Sequence, residues 1–266
     1  MDDGFYFPSP PAGTVMPHGA QLAVNVAFLL ATGGFIAWGA FQWIRTGRPV
    51  ILMLLIGGLL ASFNEPVVNA LGLIWHAREG QWTAYRALGP VPTWTIPLWV
   101  TCQGGLIYPL FCYIRRGPTA NRLWAAFAFL VLTNIALEMP ILFSGVYEYY
   151  GEPPMEAFGL PVYWPFLNMP ALLVIAALMH RVPEMFIGRG IWLLAILPAL
   201  VYAALSASLG LPIFSSLHAP GMSTMAKWLL GAISIAMSLL VVSALSRFVT
   251  RRFPFIPESD QEGAQR

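Results

Sequence analysis

The sequence predicts an all-α polytopic membrane protein: a bundle of seven transmembrane helices with its N-terminus outside and its C-terminus in the cytoplasm. Of its 266 residues, 58% are hydrophobic and 10% are charged, and the mean hydropathy is +0.68, outside the range of soluble globular domains. A hydrocarbon core about 30 Å thick requires about 20 consecutive apolar residues in a helix. Runs of this kind occupy residues 20–44, 50–75, 93–114, 122–145, 161–180, 189–209 and 225–248.

Cationic residues fall unevenly between the two ends of these runs. With the N-terminus outside, ten arginines lie on the inner side and three cations on the outer side, the tail arginine not counted. Because arginine and lysine favour the cytoplasmic side, this bias predicts the orientation and a multi-pass protein of the cell membrane. The inner residues are Arg45, Arg48, Arg115, Arg116, Arg122, Arg181, Arg189, Arg247, Arg251 and Arg252, and the outer residues are Arg78, Arg86 and Lys227.

Short connections between the runs indicate one domain over residues 1–252, followed by a tail at 253–266 that is predicted to be disordered and cytoplasmic. The sequence has no Walker motif, no dinucleotide-binding glycine pattern and no histidine cluster, and its two cysteines and four histidines lack the spacing of metal ligands. The net charge of +2 reflects membrane topology. We therefore expect no cofactor, no metal and no nucleic-acid partner.

Two carboxyl groups lie inside the predicted spans, Glu65 in NEPVVN (64–69) and Glu138 in ALEMPILF (136–143), and no lysine or arginine lies deep in a span. Ionisable side chains in hydrocarbon are costly, and they mark functional sites by default. At 1.5 Å per residue the two glutamates lie about 22 and 24 Å from the inner edge of the membrane. They therefore share one level in its outer half.

Asparagines and prolines lie close to the two glutamates in the sequence or at the same predicted level of the membrane. Asn69 and Asn134 lie one helical turn from Glu65 and Glu138. The prolines of the triplets NEP, EMP and NMP leave backbone groups without a hydrogen-bond partner in the helix, and such groups must face protein or a water-lined cavity. We therefore predict a polar cavity that opens outward beneath aromatic loops. Taken singly, the asparagines are also explained by bonds between helices, and the aromatic residues by anchoring at the interface. The candidate substrate-binding residues are Asn64, Asn69, Asn134, Asn168, Asn25, Trp82, Tyr147 and Trp164.

Two carboxyl groups in apolar surroundings can divide the roles of acid and base, because such surroundings and a neighbouring carboxylate both favour the protonated form. Aromatic faces would stabilise a cationic intermediate. The chemistry predicted is cyclisation, dehydration or isomerisation of a lipophilic substrate that enters from the membrane lipid. We expect Glu65, flanked by Pro66 and apolar turns, to be the acid, and Glu138, one turn from Asn134, to be the base.

Five motifs carry a resemblance to a known family: NEPVVN at 64–69, Trp82, IPLW at 96–99, ALEMPILFSGVYEYYG at 136–151 and PVYWPFLNMP at 161–170. They resemble the AveC-like spirocyclase family of actinobacterial integral membrane proteins, over residues 50–185. The family is named for the enzyme that closes the spiroketal of avermectin, with an associated dehydration. The resemblance implies cyclase chemistry on a polyketide-like or other hydrophobic substrate, with Glu65 and Glu138 at matching acidic positions.

Two alternatives stay open. The membrane-bound terpene cyclases of fungal meroterpenoid pathways are similar in size, in having seven spans and in a second-span glutamate placed like Glu65. Their second essential acid lies late in the chain, whereas the run 225–248 has no carboxylate. The other alternative is a proton-coupled transporter or a seven-helix sensor for a hydrophobic ligand, in which the carboxylates relay protons. The absence of visible inverted repeats is evidence against transport.

Overall fold

The computed structural model describes residues 7–117 and 119–250, and the fold over these residues is all-α and 72% helical. The tail predicted for 253–266 lies outside the described residues. Among the described residues, six helical spans are long and apolar enough to cross a membrane, which indicates a membrane protein. They are His18–Thr46, Val50–Gly72, Ala120–Phe143, Tyr163–Arg181, Leu197–Leu217 and Thr224–Thr250.

Ten α-helices and several shorter helical turns make up these spans and the segments between them. The α-helices are α1 (His18–Thr46), α2 (Val50–Ala61), α3 (Glu65–Gly72), α4 (Thr95–Trp99), α5 (Ile107–Arg115), α6 (Ala120–Phe143), α7 (Tyr163–Asn168), α8 (Pro170–Arg181), α9 (Leu197–Leu217) and α10 (Thr224–Thr250). The 3₁₀ turns are Ser62–Asn64, Pro183–Phe186 and Gly188–Ala195, and Val100–Gly105 is a π-helical segment.

Short strands join the loops between the helices. The strands are β1 (Ile74–Trp75), β2 (Thr83–Arg86), β3 (Pro90–Pro92), β4 (Glu148–Tyr149), β5 (Glu156–Ala157) and β6 (Leu160–Pro161). All three pairings are antiparallel: β1 with β4, β2 with β3, and β5 with β6. The pairing of β1 with β4 connects two loops that are more than 70 residues apart in sequence, and it lies beside the site described below.

The third predicted run is helical but not regular. Residues 95–115 form α4, the π-helical segment and α5 in direct succession. This stretch contains Gly104 and Gly105, whose lack of a side chain weakens a regular helix. π-helical segments inside helices frequently accompany functional sites.

The sixth predicted run begins later than expected. We predicted helix over 189–209, but the residues up to Ala195 form a 3₁₀ turn, and α9 runs from Leu197 to Leu217. Pro198 explains the shift, because it occupies the first turn of α9, where a missing backbone N–H costs nothing. Apolar composition located the segment, but it did not locate the start of the helix.

The span that contains α7 and α8 lies at the centre of the bundle, since 78% of its most apolar window is buried, against 17% for α1.

The backbones of α2 and the π-helical segment approach each other closely. A Cβ atom added to Gly58 would lie 2.8 Å from the carbonyl oxygen of Trp99, and one added to Gly104 would lie 2.5 Å from that of Leu54. Only glycine permits this approach, which places Trp99 beside the end of the second span.

We expect Gly58→Ala to destabilise the protein, because its new methyl group meets backbone atoms that cannot rotate away. Overpacking of this kind costs about 1–3 kcal/mol. Gly34→Ala is the matched control, since nothing lies within 4 Å of a Cβ atom there. Thermal unfolding of the purified variants in detergent measures the difference. Equal stability of the two variants would contradict the close approach.

Candidate active site

Glu65 and Glu138 line one cavity within the helix bundle, which we call the carboxylate cavity. The prediction that the two glutamates face a common cavity is therefore confirmed, while their catalytic roles stay predictions. The cavity offers about 100 Å³ to the centres of water molecules, where a single water needs about 10–15 Å³. It therefore has room for several waters or for the reacting part of a larger ligand.

Three donors surround the carboxylate of Glu65, which is 7% exposed. Asn69 Nδ2 donates to Oε1 over 3.2 Å, and Trp99 Nε1 donates to Oε2 over 2.6 Å. His76 Nε2 also lies 3.2 Å from Oε1, within hydrogen-bond distance of the carboxylate. A buried carboxylate with this many partners is stabilised by hydrogen bonds at both oxygens.

Glu138 is half-buried and has a second set of three donors. Asn134 Nδ2 donates to Oε1 over 2.9 Å. The hydroxyl groups of Tyr147 and Tyr149 both donate to Oε2, over 2.9 and 3.0 Å. All three donors are neutral, whereas the donors to Glu65 include an imidazole. The two carboxyl groups therefore differ in their surroundings although they line the same cavity.

The pairing of β1 with β4 brings the loop residues to the glutamates. The helix α3 ends at Leu73, whose left-handed φ of 53° turns the chain into β1. In the pairing, Ile74 lies opposite Tyr149 and Trp75 lies opposite Glu148. His76 follows directly, and its ring centroid lies 5.8 Å from that of Tyr147. One short strand pair thus positions both the imidazole at Glu65 and the phenols at Glu138.

The phenols beside Glu138 keep their protons over the whole physiological range. Burial raises the pKa of Tyr147 well above its usual value, and the charge of Glu138 raises it further. The pKa of Tyr149 is raised by the same two causes in the same order. Both hydroxyl groups therefore act as fixed hydrogen-bond donors to the carboxylate, not as bases.

Several buried polar atoms of cavity-lining residues have no hydrogen-bond partner in the described part of the chain. They are Asn69 Oδ1, Asn134 Oδ1, His76 Nδ1 and Trp94 Nε1. An unsatisfied buried polar atom costs about 1–3 kcal/mol. Two amide oxygens beside two carboxyl groups make the wall rich in acceptors, which suits a ligand with hydroxyl groups.

Of the eight predicted binding residues, the structure places five on the wall of the carboxylate cavity. Asn69 and Asn134 donate to the two glutamates, as described above. Asn168 accepts a hydrogen bond of 2.8 Å from the hydroxyl group of Tyr202. The five residues are Asn69, Asn134, Asn168, Tyr147 and Trp164.

The other three predicted residues do not line this cavity. Asn64 donates to the carbonyl oxygen of Ala199 over 3.2 Å and so joins the second span to α9. Asn25 donates to the carbonyl of Gln21 and accepts a bond from Thr93. Trp82 is 37% exposed. Depth along a helix places a residue at a level of the membrane but not on a particular face. These three residues therefore stay candidates for substrate binding that lie outside the wall of this cavity.

Sequence reasoning missed several polar or aromatic residues of the cavity. For Trp99 and Tyr149 a signal existed, because Trp99 lies in the motif IPLW and Tyr149 in ALEMPILFSGVYEYYG. His76 had none beyond being a titratable residue just after the span that contains Glu65. Within the described residues, no three histidine, cysteine or acidic side chains gather as a metal site. The missed residues include His76, Trp94, Trp99, Gln103, Thr133, Tyr149 and Tyr202.

A second cavity, which we call the loop cavity, lies among the loops next to the first. It is bounded by residues 7–10, the loop of residues 87–91, Trp75, Arg78 and Tyr150, and it offers about 240 Å³. Asn69, Ile74 and His76 line both cavities, so the two spaces share part of their walls.

Comparisons of the chain with protein-family models, with curated proteins and with solved structures found no match. The site is therefore interpreted from its own geometry.

We expect Tyr147→Phe to lower the free energy of unfolding by about 1.5–3 kcal/mol, the contribution of a hydrogen bond to a charged group. In a Glu138→Gln background the loss falls to about 1 kcal/mol, because the acceptor is then neutral. Denaturant unfolding in detergent of the two single variants and the double variant measures this coupling.

Tyr113→Phe is the control for this cycle, since Tyr113 lies on α5 and is 39% exposed, away from both cavities. A loss for Tyr147→Phe that is the same in the wild type and in the Glu138→Gln background would contradict an ionised carboxylate at this position.

Proposed function

We propose that the protein is a membrane-embedded acid–base cyclase that needs no cofactor and acts on a lipophilic, hydroxylated precursor. The observation that carries this proposal is that two carboxyl groups with different hydrogen-bond partners line one cavity. Two carboxyl groups with unlike surroundings are the arrangement by which acid and base roles are divided at one pH. The resemblance to AveC-like spirocyclases supports the same chemistry.

In this proposal the acid is Glu65 together with His76. A proton shared between the imidazole and the carboxyl group passes to the departing hydroxyl of a hemiketal. The carbon–oxygen bond breaks, water leaves, and an oxocarbenium ion forms. Trp94, Trp99 and Trp164 place aromatic faces around the space where this positive charge develops.

Glu138 is the base. Its oxygens accept hydrogen bonds from three neutral donors, and it takes the proton of the attacking alcohol as the new carbon–oxygen bond closes. The product is lighter than the precursor by one water. The proton gained by Glu138 returns to the Glu65–His76 pair through water before the next cycle. The division of roles resembles that of the two carboxyl groups of glycoside hydrolases.

We further propose seven membrane spans, with the N-terminus outside the cell membrane. The irregular helix over residues 95–115 is long enough to be the additional span, since 21 residues at 1.5 Å reach about 31 Å. Arg45, Arg115 and Arg247 lie in the last turns of α1, α5 and α10, and Arg181 ends α8. This is the distribution expected of cytoplasmic helix ends.

A proton-coupled transporter or sensor is the second candidate, favoured by one observation: His76 contacts Glu65 and also lines the loop cavity. A chain of titratable groups between two cavities is what a proton path requires. An isoprenoid substrate is an alternative within the first candidate, because protonation of an alkene or epoxide uses the same acid.

The proposal is tested by product analysis. A host that makes a polyketide or isoprenoid precursor expresses the wild type, the Glu65→Gln/Glu138→Gln variant or a control. The control is Glu79→Gln/Glu148→Gln, which removes two exposed loop carboxyl groups. We expect a product isomeric with the precursor, or lighter by one water, with the wild type and the control and not with the site variant.

Purified protein in detergent separates the two candidates, because transport needs a sealed compartment and catalysis does not. Conversion of the precursor by the solubilised wild type supports the cyclase. Unchanged precursor in every sample, together with pH-dependent uptake into proteoliposomes, would replace it with the transporter.

We expect His76→Gln to retain the fold but to lower turnover at least tenfold, since glutamine keeps a hydrogen bond to Glu65 and supplies no proton. The kcat and KM of the wild type and the variant measure this. An unchanged kcat would contradict a part of His76 in proton transfer.

A further inference from the structure

The loop cavity has a chemical character different from that of the carboxylate cavity. Among the described residues that line it, none is acidic and Arg78 is the one arginine or lysine. Hydrogen-bond donors are present in Asn69, His76 and the hydroxyl group of Tyr150. The space therefore favours a ligand that carries negative charge.

Arg78 lies over an aromatic ring. Its guanidinium carbon lies 4.6 Å from the centre of the Trp75 ring, which is within the range of a cation–π contact. Tyr150 also lines the loop cavity; burial raises the pKa of its hydroxyl group, and the charge of Arg78 opposes that rise. Among residues 7–117 and 119–250, no carboxylate lies within 4 Å of Arg78. Within this part of the chain the guanidinium group is therefore a candidate site for an anion.

The charge of the site limits the anion. A single guanidinium group matches a carboxylate, which it binds through two parallel N–H bonds. A phosphate dianion would be only half neutralised by one cation. Apolar groups complete the wall, among them Pro8, Pro66, Ile74 and Leu88. The ligand they suit is an amphiphile with one terminal carboxylate.

We propose that the loop cavity binds the carboxylate of a lipophilic acid whose chain passes Asn69, Ile74 and His76 into the carboxylate cavity. This inference rests on the proposed function in one respect, because it identifies the occupant of the loop cavity as the acidic end of the substrate. The carboxylate then fixes which atoms of the chain reach Glu65 and Glu138. Recognition far from the reacting atoms supplies binding energy that positions the substrate for reaction.

Binding of radiolabelled dodecanoic acid to the full chain in lipid nanodiscs tests the proposal without requiring turnover. We expect Arg78→Gln to weaken binding by about 10- to 100-fold, the effect of losing a charged hydrogen-bond partner. Arg86→Gln is the matched control: Arg86 is also an exposed loop arginine, at the end of β2, and it does not line the cavity. Unlabelled methyl dodecanoate should compete at least tenfold less well than the acid, and dodecyl phosphate no better than the acid.

Three results would overturn the proposal. Equal weakening in Arg78→Gln and Arg86→Gln would mean that surface charge alone attracts the acid. Equal competition by the methyl ester would mean that the carboxylate is not recognised, and tighter binding of the phosphate would assign the site to another class of anion. Binding in Glu65→Gln/Glu138→Gln separates this inference from the proposed function. Retained binding there, with no turnover of any precursor by the wild type, would leave the acid site in place while the cyclase proposal fails.

Discussion

The carboxyl group of Glu65 sets the requirement that the rest of the site meets. A carboxylate inside an apolar bundle is costly unless it is fully paired. Its partners come from three parts of the chain: Asn69 from its own helix, His76 from the following loop and Trp99 from α4. Trp99 can reach it because the backbones of α2 and the π-helical segment approach through Gly58 and Gly104. The close packing of α2 against the π-helical segment thus brings one of the donors to Glu65.

Glu138 meets the same requirement in the same way, with one amide from its own helix and two donors from a loop. Since β1 and β4 pair, the donors to both carboxyl groups are positioned by one element. Fixed dipoles around a site of changing charge reduce the reorganisation that a reaction needs. This shared construction is the physical basis for treating the two glutamates as one site.

The sequence predicted what a single helix determines. Asn69 and Asn134 contact their glutamates because residues four apart share a face. Partners that depend on how separate segments pack were missed, as His76 and Trp99 were, since nothing local requires a strand pair between 74–75 and 148–149. Asn25 and Asn64 do not line the carboxylate cavity, because depth along a helix does not determine the face on which a residue lies. The start of α9 was also missed, because hydropathy does not reveal how Pro198 ends one segment and begins the next.

The strand pair between the two loops has a consequence for the proposed cyclase. Because β1 and β4 join the loops that carry His76, Tyr147 and Tyr149, a separation of these strands would remove donors from both glutamates at once. The proposed acid and base would therefore be available together or not at all. A cation formed while the loops are paired would be shielded from bulk water.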